Sequence, residues 1–215
     1  MQTVRIIAVR HGETAWNADG RVQGHTDVAL SAAGRAQAAL LADALAQQHD
    51  AIDALCSSDL LRARQTAQAV QAATGAPLVL EPRLRERAFG QIEGLSFAQV
   101  QARWPADAEK WRKRDLYWAA PGGESLLRFQ ERVIGAIQDL AQRHLGQQIA
   151  IITHGGVLDV LYRAATGCGL QGARTWQLGN CAINRLLWTP GGQLALVGWA
   201  DDQHLQQRAI DETTS

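Results

Sequence analysis

The sequence predicts an α/β fold: a mixed, mainly parallel sheet of about six strands flanked by helices on both faces. Three observations carry that prediction. The stretches 4–9 and 149–153 hold short continuous apolar runs, 6–9 and 149–152, as in strands covered on both faces. Strand-like and helix-like segments alternate along the 215 residues, the pattern of parallel strands joined by crossover helices. Near the end, Thr189-Pro190-Gly191-Gly192 separates two strand-like runs. That turn signal adds an antiparallel hairpin and makes the sheet mixed.

In order, the strands are expected at 4–9, 52–56, 78–80, 149–153, 182–188 and 194–199. A helix at 32–45 is rich in alanine and leucine, with Ser31 placed as its N-cap. Another, at 60–72, follows the capping cluster Ser57-Ser58-Asp59. A long helix at 125–144 carries Phe129, Val133, Ile137 and Leu140 on one face. A further helix should start just after Gly156, with Val157, Leu158, Leu161 and Tyr162 inside.

Residues 95–123 break the alternation. They hold Trp104, Trp111 and Trp118 among Glu109, Lys110, Arg112, Lys113, Arg114 and Asp115. One reading is a partly exposed helical excursion whose tryptophans pack on the domain. The other is a lid whose basic residues reach a substrate. No repeat or linker interrupts the chain, so residues 1–215 read as a single domain.

Lys plus Arg and Asp plus Glu both number 21, so the net charge is zero. That argues against a non-specific nucleic-acid binder, which would show a basic surplus. Cys56, Cys168 and Cys181 are odd in number and lack metal-ligand spacing, as in a reduced protein. The N-terminus enters a strand-like run without a signal-peptide pattern. No apolar stretch approaches membrane-spanning length. The expectations are a cytoplasmic location and neither a nucleic-acid nor a membrane partner. Oligomeric state stays open, with a homodimer as one option and the 182–188 and 194–199 strands as an exposed edge.

Three places could meet in space. Arg10-His11-Gly12-Glu13 closes the first apolar run, and ligands of open α/β sheets bind at the carboxyl ends of strands. Arg62 falls in the first turn of the helix after the second strand. His154 ends the fourth strand, and Gly155-Gly156 lead into a helix N-terminus, which binds anions. Arg10, Arg62 and two histidines converging there would suit a phosphoryl dianion, whose transfer depends on positioning and charge neutralisation. Taken singly, each residue also has a plain structural reading. His11 and His154 can be strand-end histidines, Arg62 can pair with Asp59, and Glu86 can be one more exposed charge beside Arg85 and Arg87.

Four segments, in this order and spacing, narrow the choice. They are Arg10-His11-Gly12-Glu13-Thr14-Ala15-Trp16-Asn17, Ser57-Ser58-Asp59-Leu60-Leu61-Arg62-Ala63-Arg64-Gln65-Thr66-Ala67, Leu84-Arg85-Glu86-Arg87-Ala88-Phe89-Gly90-Gln91-Ile92-Glu93-Gly94, and Ile149-Ala150-Ile151-Ile152-Thr153-His154-Gly155-Gly156. Together the chain resembles the histidine phosphatase superfamily, also called the phosphoglycerate mutase-like family, from about Val4 to about Trp199. The resemblance implies that His11 is the nucleophile that becomes phosphohistidine. It implies a phosphate pocket of Arg10, Arg62 and His154, with Asn17 and the Gly155 N–H as further donors. Glu86 matches the family's acid, protonating the leaving alcohol and then deprotonating water. Gln23 and Gly24 fall where the family's early loop meets the substrate beyond the phosphate. His11 must be neutral and Glu86 protonated, so a bell-shaped profile with an optimum of about pH 5.5–7 is expected.

The implied function is a metal-independent phosphomonoesterase, with no cofactor, acting on a small phosphorylated metabolite. One alternative is a phosphoglycerate mutase using the same histidine chemistry; another is a catalytically silent phosphate-binding module. The cofactor-dependent mutases carry an insert beginning Arg-His-Tyr-Gly-Gly after the glutamate. Here Arg87-Ala88-Phe89-Gly90 follows instead, which resembles the phosphatase branch, although Lys110, Arg112, Lys113 and Arg114 could grip a carboxylate. Gly167-Cys168-Gly169-Leu170-Gln171-Gly172 satisfies G-x-G-x-x-G but follows a helical pattern, so no dinucleotide site is read. No P-loop or G-x-S-x-G elbow is present. His25, His49, His144 and His204 form no ligand cluster, so no metal site is expected.

Overall fold

A computed structural model of the protein describes residues 2–48 and 51–206. His49 and the two ends of the 1–215 span lie outside the described residues. Among the described residues, six strands form one sheet: β1 (Val4–Arg10), β2 (Ala54–Ser57), β3 (Leu78–Leu80), β4 (Gln148–Thr153), β5 (Ile183–Trp188) and β6 (Leu194–Asp201). Their order is β3-β2-β4-β1-β5-β6. β1, β2, β3 and β4 are parallel, while β5 pairs antiparallel with β1 and β6 antiparallel with β5. The mixed, mainly parallel sheet is as the sequence predicts. The β5–β6 turn closes through the Gly192 N–H on the Thr189 carbonyl at 2.8 Å, and β6 forms one edge of the sheet.

The helices are α1 (Ala15–Ala18), α2 (Ala32–Ala46), α3 (Leu61–Thr74), α4 (Phe97–Arg103), α5 (Pro105–Arg112), α6 (Leu126–Arg143), α7 (Gly155–Thr166) and α8 (Gln203–Gln206). Side chains of a strand alternate between its faces, and β1 and β4 bury both. Val4, Ile6, Ala8, Ile149 and Ile151 pack with α6 and α7. Ile7, Val9, Ala150 and Ile152 pack with α2 and α3. The expected stripe Phe129, Val133, Ile137 and Leu140 of α6 is buried, and Ser31 caps α2 by accepting the Gly34 N–H at 3.0 Å.

Three local expectations are corrected. The helix expected after Gly156 starts at Gly155, with both glycines in its first turn and His154 at the N-cap position. Tyr162 is only half-buried and stacks on Trp176, with ring centroids 4.0 Å apart; Arg163 is the residue that goes inside, 1% exposed. Arg163 is tolerated there because Asp159 and the carbonyls of Gly169 and Gly172 accept its N–H groups. The cluster Ser57-Ser58-Asp59 does not cap α3 with a side chain. The Leu61 N–H is instead accepted by Asp27, at 2.6 Å, while Asp59 forms a two-pronged pair with Arg85.

The 95–123 excursion contains α4 and α5 and has a small core of its own. Ile92, Val100, Ala108, Trp118 and Ala120 are buried, with Trp104 and Trp111 packed against them. Arg112 and Lys113 pair with Glu109 at the surface. Arg114 ties the excursion to α7 through Asp159 at 2.6 Å. Three of its five basic residues therefore hold carboxylates of the protein itself.

Candidate active site

The register of β1 against β4 creates the site. Arg10 stands opposite Thr153, and the His11 N–H donates to the Thr153 carbonyl at 2.9 Å. Two neighbouring parallel strands thus end side by side, and the next residue of each is a histidine. The His11 and His154 ring centroids lie 5.1 Å apart. Arg62, in the first turn of α3, reaches the same point from the other side of β4, with its Nε 3.2 Å from His11 Nε2. His11 is 3% exposed, Arg62 1% and His154 0%.

Hydrogen bonds assign the protons. His11 Nδ1 lies 2.7 Å from the Gly12 carbonyl, which can only accept. The ring proton is therefore on Nδ1, and the lone pair on Nε2 faces the Arg62 N–H. Ser58 Oγ accepts the Leu60 N–H and lies 2.8 Å from His154 Nε2, holding that ring nitrogen. His154 Nδ1 and Arg10 Nε are buried nitrogens with no hydrogen-bond partner among the described residues. Unpaired buried polar groups are costly and need an explanation; an anion that accepts the Arg10 N–H supplies one.

Glu86 sits at the start of α7. Its carboxylate accepts the Arg87 N–H and the Gly156 N–H, both at 2.8 Å. A Cβ built on Gly156 would lie 2.1 Å from Glu86 Oε1, so only glycine admits the carboxylate there. A Cβ on Gly155 would lie 3.6 Å from Arg10 Nε, which puts that backbone beside the strand-end arginine. Arg10 also donates to the Leu178 carbonyl at 2.8 Å. Burial lowers the pKa of Arg10, with Glu86 opposing, and pulls Arg62 down to about 10, again with Glu86 opposing.

The structure thus brings together His11, His154, Arg10, Arg62, Glu86 and Gly155. Asn17 lies close in sequence but is partly committed. Its Oδ1 accepts from Thr14 in the capping box of α1, which leaves the amide Nδ2 as what it can offer an anion. Gln23 is buried and accepts the Thr14 hydroxyl at 2.9 Å. Gly24 turns its carbonyl to Arg62 Nη2 at 2.8 Å. Sequence reasoning missed several supports. Ser58 orients His154, Thr66 bridges the Gly12 N–H and the Arg62 carbonyl, and Asn180 donates to the His11 carbonyl at 2.7 Å. Ser58 stands inside a segment already singled out, but Asn180 is remote in sequence and no local pattern marks it. Among the described residues no group of three or more His, Cys, Asp or Glu could hold a metal ion, and no helix is long and apolar enough to cross a membrane.

Both site imidazoles titrate well below the ordinary histidine value. For His11 the main cause is burial, followed by the Arg62 and Arg10 charges, with the Gly12 bond opposing. For His154 burial again leads, followed by Arg62, His11 and Arg10. The unfolded chain then binds more protons than the fold below about pH 6.5. Stability is full above that value and falls as pH drops toward the depressed folded values. The slope should approach about 1.4 kcal/mol per pH unit for each histidine. His204, also lowered by burial, adds to this window. Asp59, Glu81 and Asp201, whose carboxyls are lowered, add theirs only below about pH 4. Thermal unfolding between about pH 7.5 and pH 5 checks this; a midpoint that stays level or rises on acidification contradicts it.

Known proteins match nearly the whole chain. Residues 6–202 match the family model of the histidine phosphatase superfamily, branch 1. The chain is 36% identical over 204 residues to phosphoglycerate mutase-like protein 4 of Arabidopsis thaliana, covering 94% of this chain and 87% of that protein. It is 32% identical over 217 residues to the metal-independent phosphoserine phosphatase of the same plant, covering 98% and 89%. Among solved structures, YhfR of Bacillus stearothermophilus superposes with a TM-score of 0.85 at 29% identity, covering 94% of this chain and 99% of that one. Sheet order, the paired strand-end histidines and a match along nearly the full length agree: the chain belongs to the histidine phosphatase superfamily.

Proposed function

We propose that the protein hydrolyses phosphomonoesters of a small metabolite through a phosphohistidine at His11, without a metal. The observation that supports this best is the trio of a lone pair on His11 Nε2 and two buried nitrogens, Arg10 Nε and His154 Nδ1, without partners among the described residues. A phosphoryl group seated there receives the nucleophile on one side and fixed donors on its equatorial oxygens. His11 Nε2 bonds phosphorus as the ester P–O bond breaks, and Glu86 gives its proton to the leaving oxygen. Water then attacks phosphorus, Glu86 takes a proton from it, and the N–P bond breaks to release phosphate. Asn17 Nδ2 and the Gly155 N–H add donors, and Gln23 and Gly24 border the group beyond the phosphate.

The group beyond the phosphate is assigned to a cavity of about 570 Å³ beside the loop that carries Glu86, lined by His25, Ala88, Tyr117, Ser125 and Arg128. Residues 95–123 belong to the same domain and border this cavity through Tyr117 and Ala119. Their separate core and the Arg114–Asp159 bond support a docked excursion rather than a swinging lid. We place the enzyme in the cytoplasm, acting on a free metabolite rather than on nucleic acid or a membrane, in keeping with its unpaired cysteines. The β6 edge, with Leu196 and Val197 exposed, is where a second copy would pair.

The mutase reading draws on the mutase-like relative. It asks for basic residues free to grip a carboxylate, and Arg112, Lys113 and Arg114 are engaged elsewhere. The deciding assay offers 3-phosphoglycerate with a trace of 2,3-bisphosphoglycerate, beside simple aryl and sugar phosphates. Phosphate release from several esters with little isomerisation is expected. Formation of 2-phosphoglycerate much faster than phosphate release would establish the mutase instead.

A further inference from the structure

Glu93 takes no part in the chemistry above, yet its carboxylate is the most heavily bonded acid near the site. Oε1 accepts the His25 N–H at 3.0 Å and the Phe89 N–H at 2.9 Å. Oε2 accepts the Thr26 N–H at 2.8 Å and the Thr26 hydroxyl at 2.5 Å. The backbone that it holds, 24–26, has no strand or helix of its own. That turn supplies the two carbonyls that orient Arg62: Gly24 O takes Nη2 at 2.8 Å, and Thr26 O takes Nη1 at 3.0 Å. With both Nη groups fixed, Nε is left facing His11 Nε2. The packing is tight enough that a Cβ on Gly24, at φ +53, would fall 2.0 Å from Glu93 Oε1.

The same carboxylate reaches the other half of the site. Phe89 is in the segment that carries Glu86, and His25, whose N–H Glu93 holds, bonds the Glu86 carbonyl through Nε2 at 2.8 Å. Burial works against the charge on Glu93. The bonds from Thr26, His25 and Phe89 outweigh it and hold the carboxyl below its usual range. All four partners are donors, so an ionised carboxylate satisfies every one of them, whereas an amide would turn its own N–H groups toward some of them.

We propose that Glu93 is a positioning residue: it fixes the 24–26 turn so that the Arg62 guanidinium meets the phosphoryl group and His11 in the geometry of transfer. This rests on the hydrolase reading, with Arg62 as a phosphate-binding group. A residue that acts through another should lose its effect when the other is gone. The test is a double-mutant cycle of Glu93→Gln and Arg62→Ala, assayed with an aryl phosphate and normalised to folded protein. Glu93→Gln should lower kcat about 30-fold with KM changed less than about 3-fold, and should lower it less than about 3-fold further in the Arg62→Ala background. Glu93→Asp keeps the charge and should restore part of the rate; it replaces Glu93→Gln in the cycle if the latter does not fold. Equal losses in both backgrounds, or no loss in either, overturn the role of Glu93. Full activity in Arg62→Ala alone overturns the phosphate-binding role of Arg62 and the proposal with it, whereas no aryl phosphate turnover by the unaltered protein overturns the hydrolase reading, so the two failures are told apart.

Discussion

His11→Ala should reduce turnover by about 10⁴-fold or more and abolish covalent labelling, because binding groups cannot replace a missing nucleophile. In the unaltered protein, rapid quenching without acid during turnover should trap up to one phosphoryl group per chain. The adduct should be labile in acid and stable in base, as a phosphoramidate is. The geometry singles out Nε2, since the Gly12 carbonyl ties the proton to Nδ1. It also singles out His11 over His154, whose Nε2 is occupied by Ser58. Phosphorylation must displace the Arg62 Nε bond from His11, freeing that N–H for the phosphoryl oxygens. Retained labelling in His11→Ala, with label on His154, would reverse the assignment of the two histidines.

Glu86→Gln should separate the two steps. For an alkyl phosphate the leaving alkoxide needs a proton, and loss of the donor should cost about 10³-fold in kcat. An aryl phosphate with a good leaving group needs little help to depart, so its first step should be far less affected. Release of phosphate from His11 still requires a base for the attacking water. Phosphohistidine should therefore accumulate with the aryl ester, seen as a burst of phenol and a higher steady-state label. The placement of Glu86 between the Arg87 and Gly156 N–H groups makes this variant informative, because glutamine keeps the shape and one acceptor. An equal loss for both esters, with no burst, would mean that Glu86 only positions other groups.

The fold was legible because its determinants are local. Continuous apolar runs mark β1 and β4, and both prove covered on two faces. The spacing of Phe129, Val133, Ile137 and Leu140 marks the buried stripe of α6. Helix starts were legible only where the capping side chain is a sequence neighbour. Ser31 was found, while the α3 start was misread because Asp27, far along the chain, takes the N–H that Ser57-Ser58-Asp59 was expected to take. Arg163 escaped for a related reason: a charge looks exposed in sequence until Asp159 and two loop carbonyls are seen to satisfy it.

By itself the sequence determined which chemistry-bearing residues the chain owns and, for three of them, which ends of strands and helices they occupy: His11 and His154 at strand ends, Arg62 in a first helical turn. The tertiary structure decided the rest. The β1–β4 register put the two histidines side by side, and the Gly12 and Ser58 contacts chose the nitrogen that each presents. Among the described residues it left Arg10 Nε and His154 Nδ1 buried without partners, and it gathered four donors onto Glu93. The division has a physical cause. Backbone preference and hydrophobic period act over a few neighbouring residues and can be read along the chain. Proton placement and charge alignment depend on donors and acceptors brought within about 3 Å of each other from distant segments, and that proximity exists only once the core has closed.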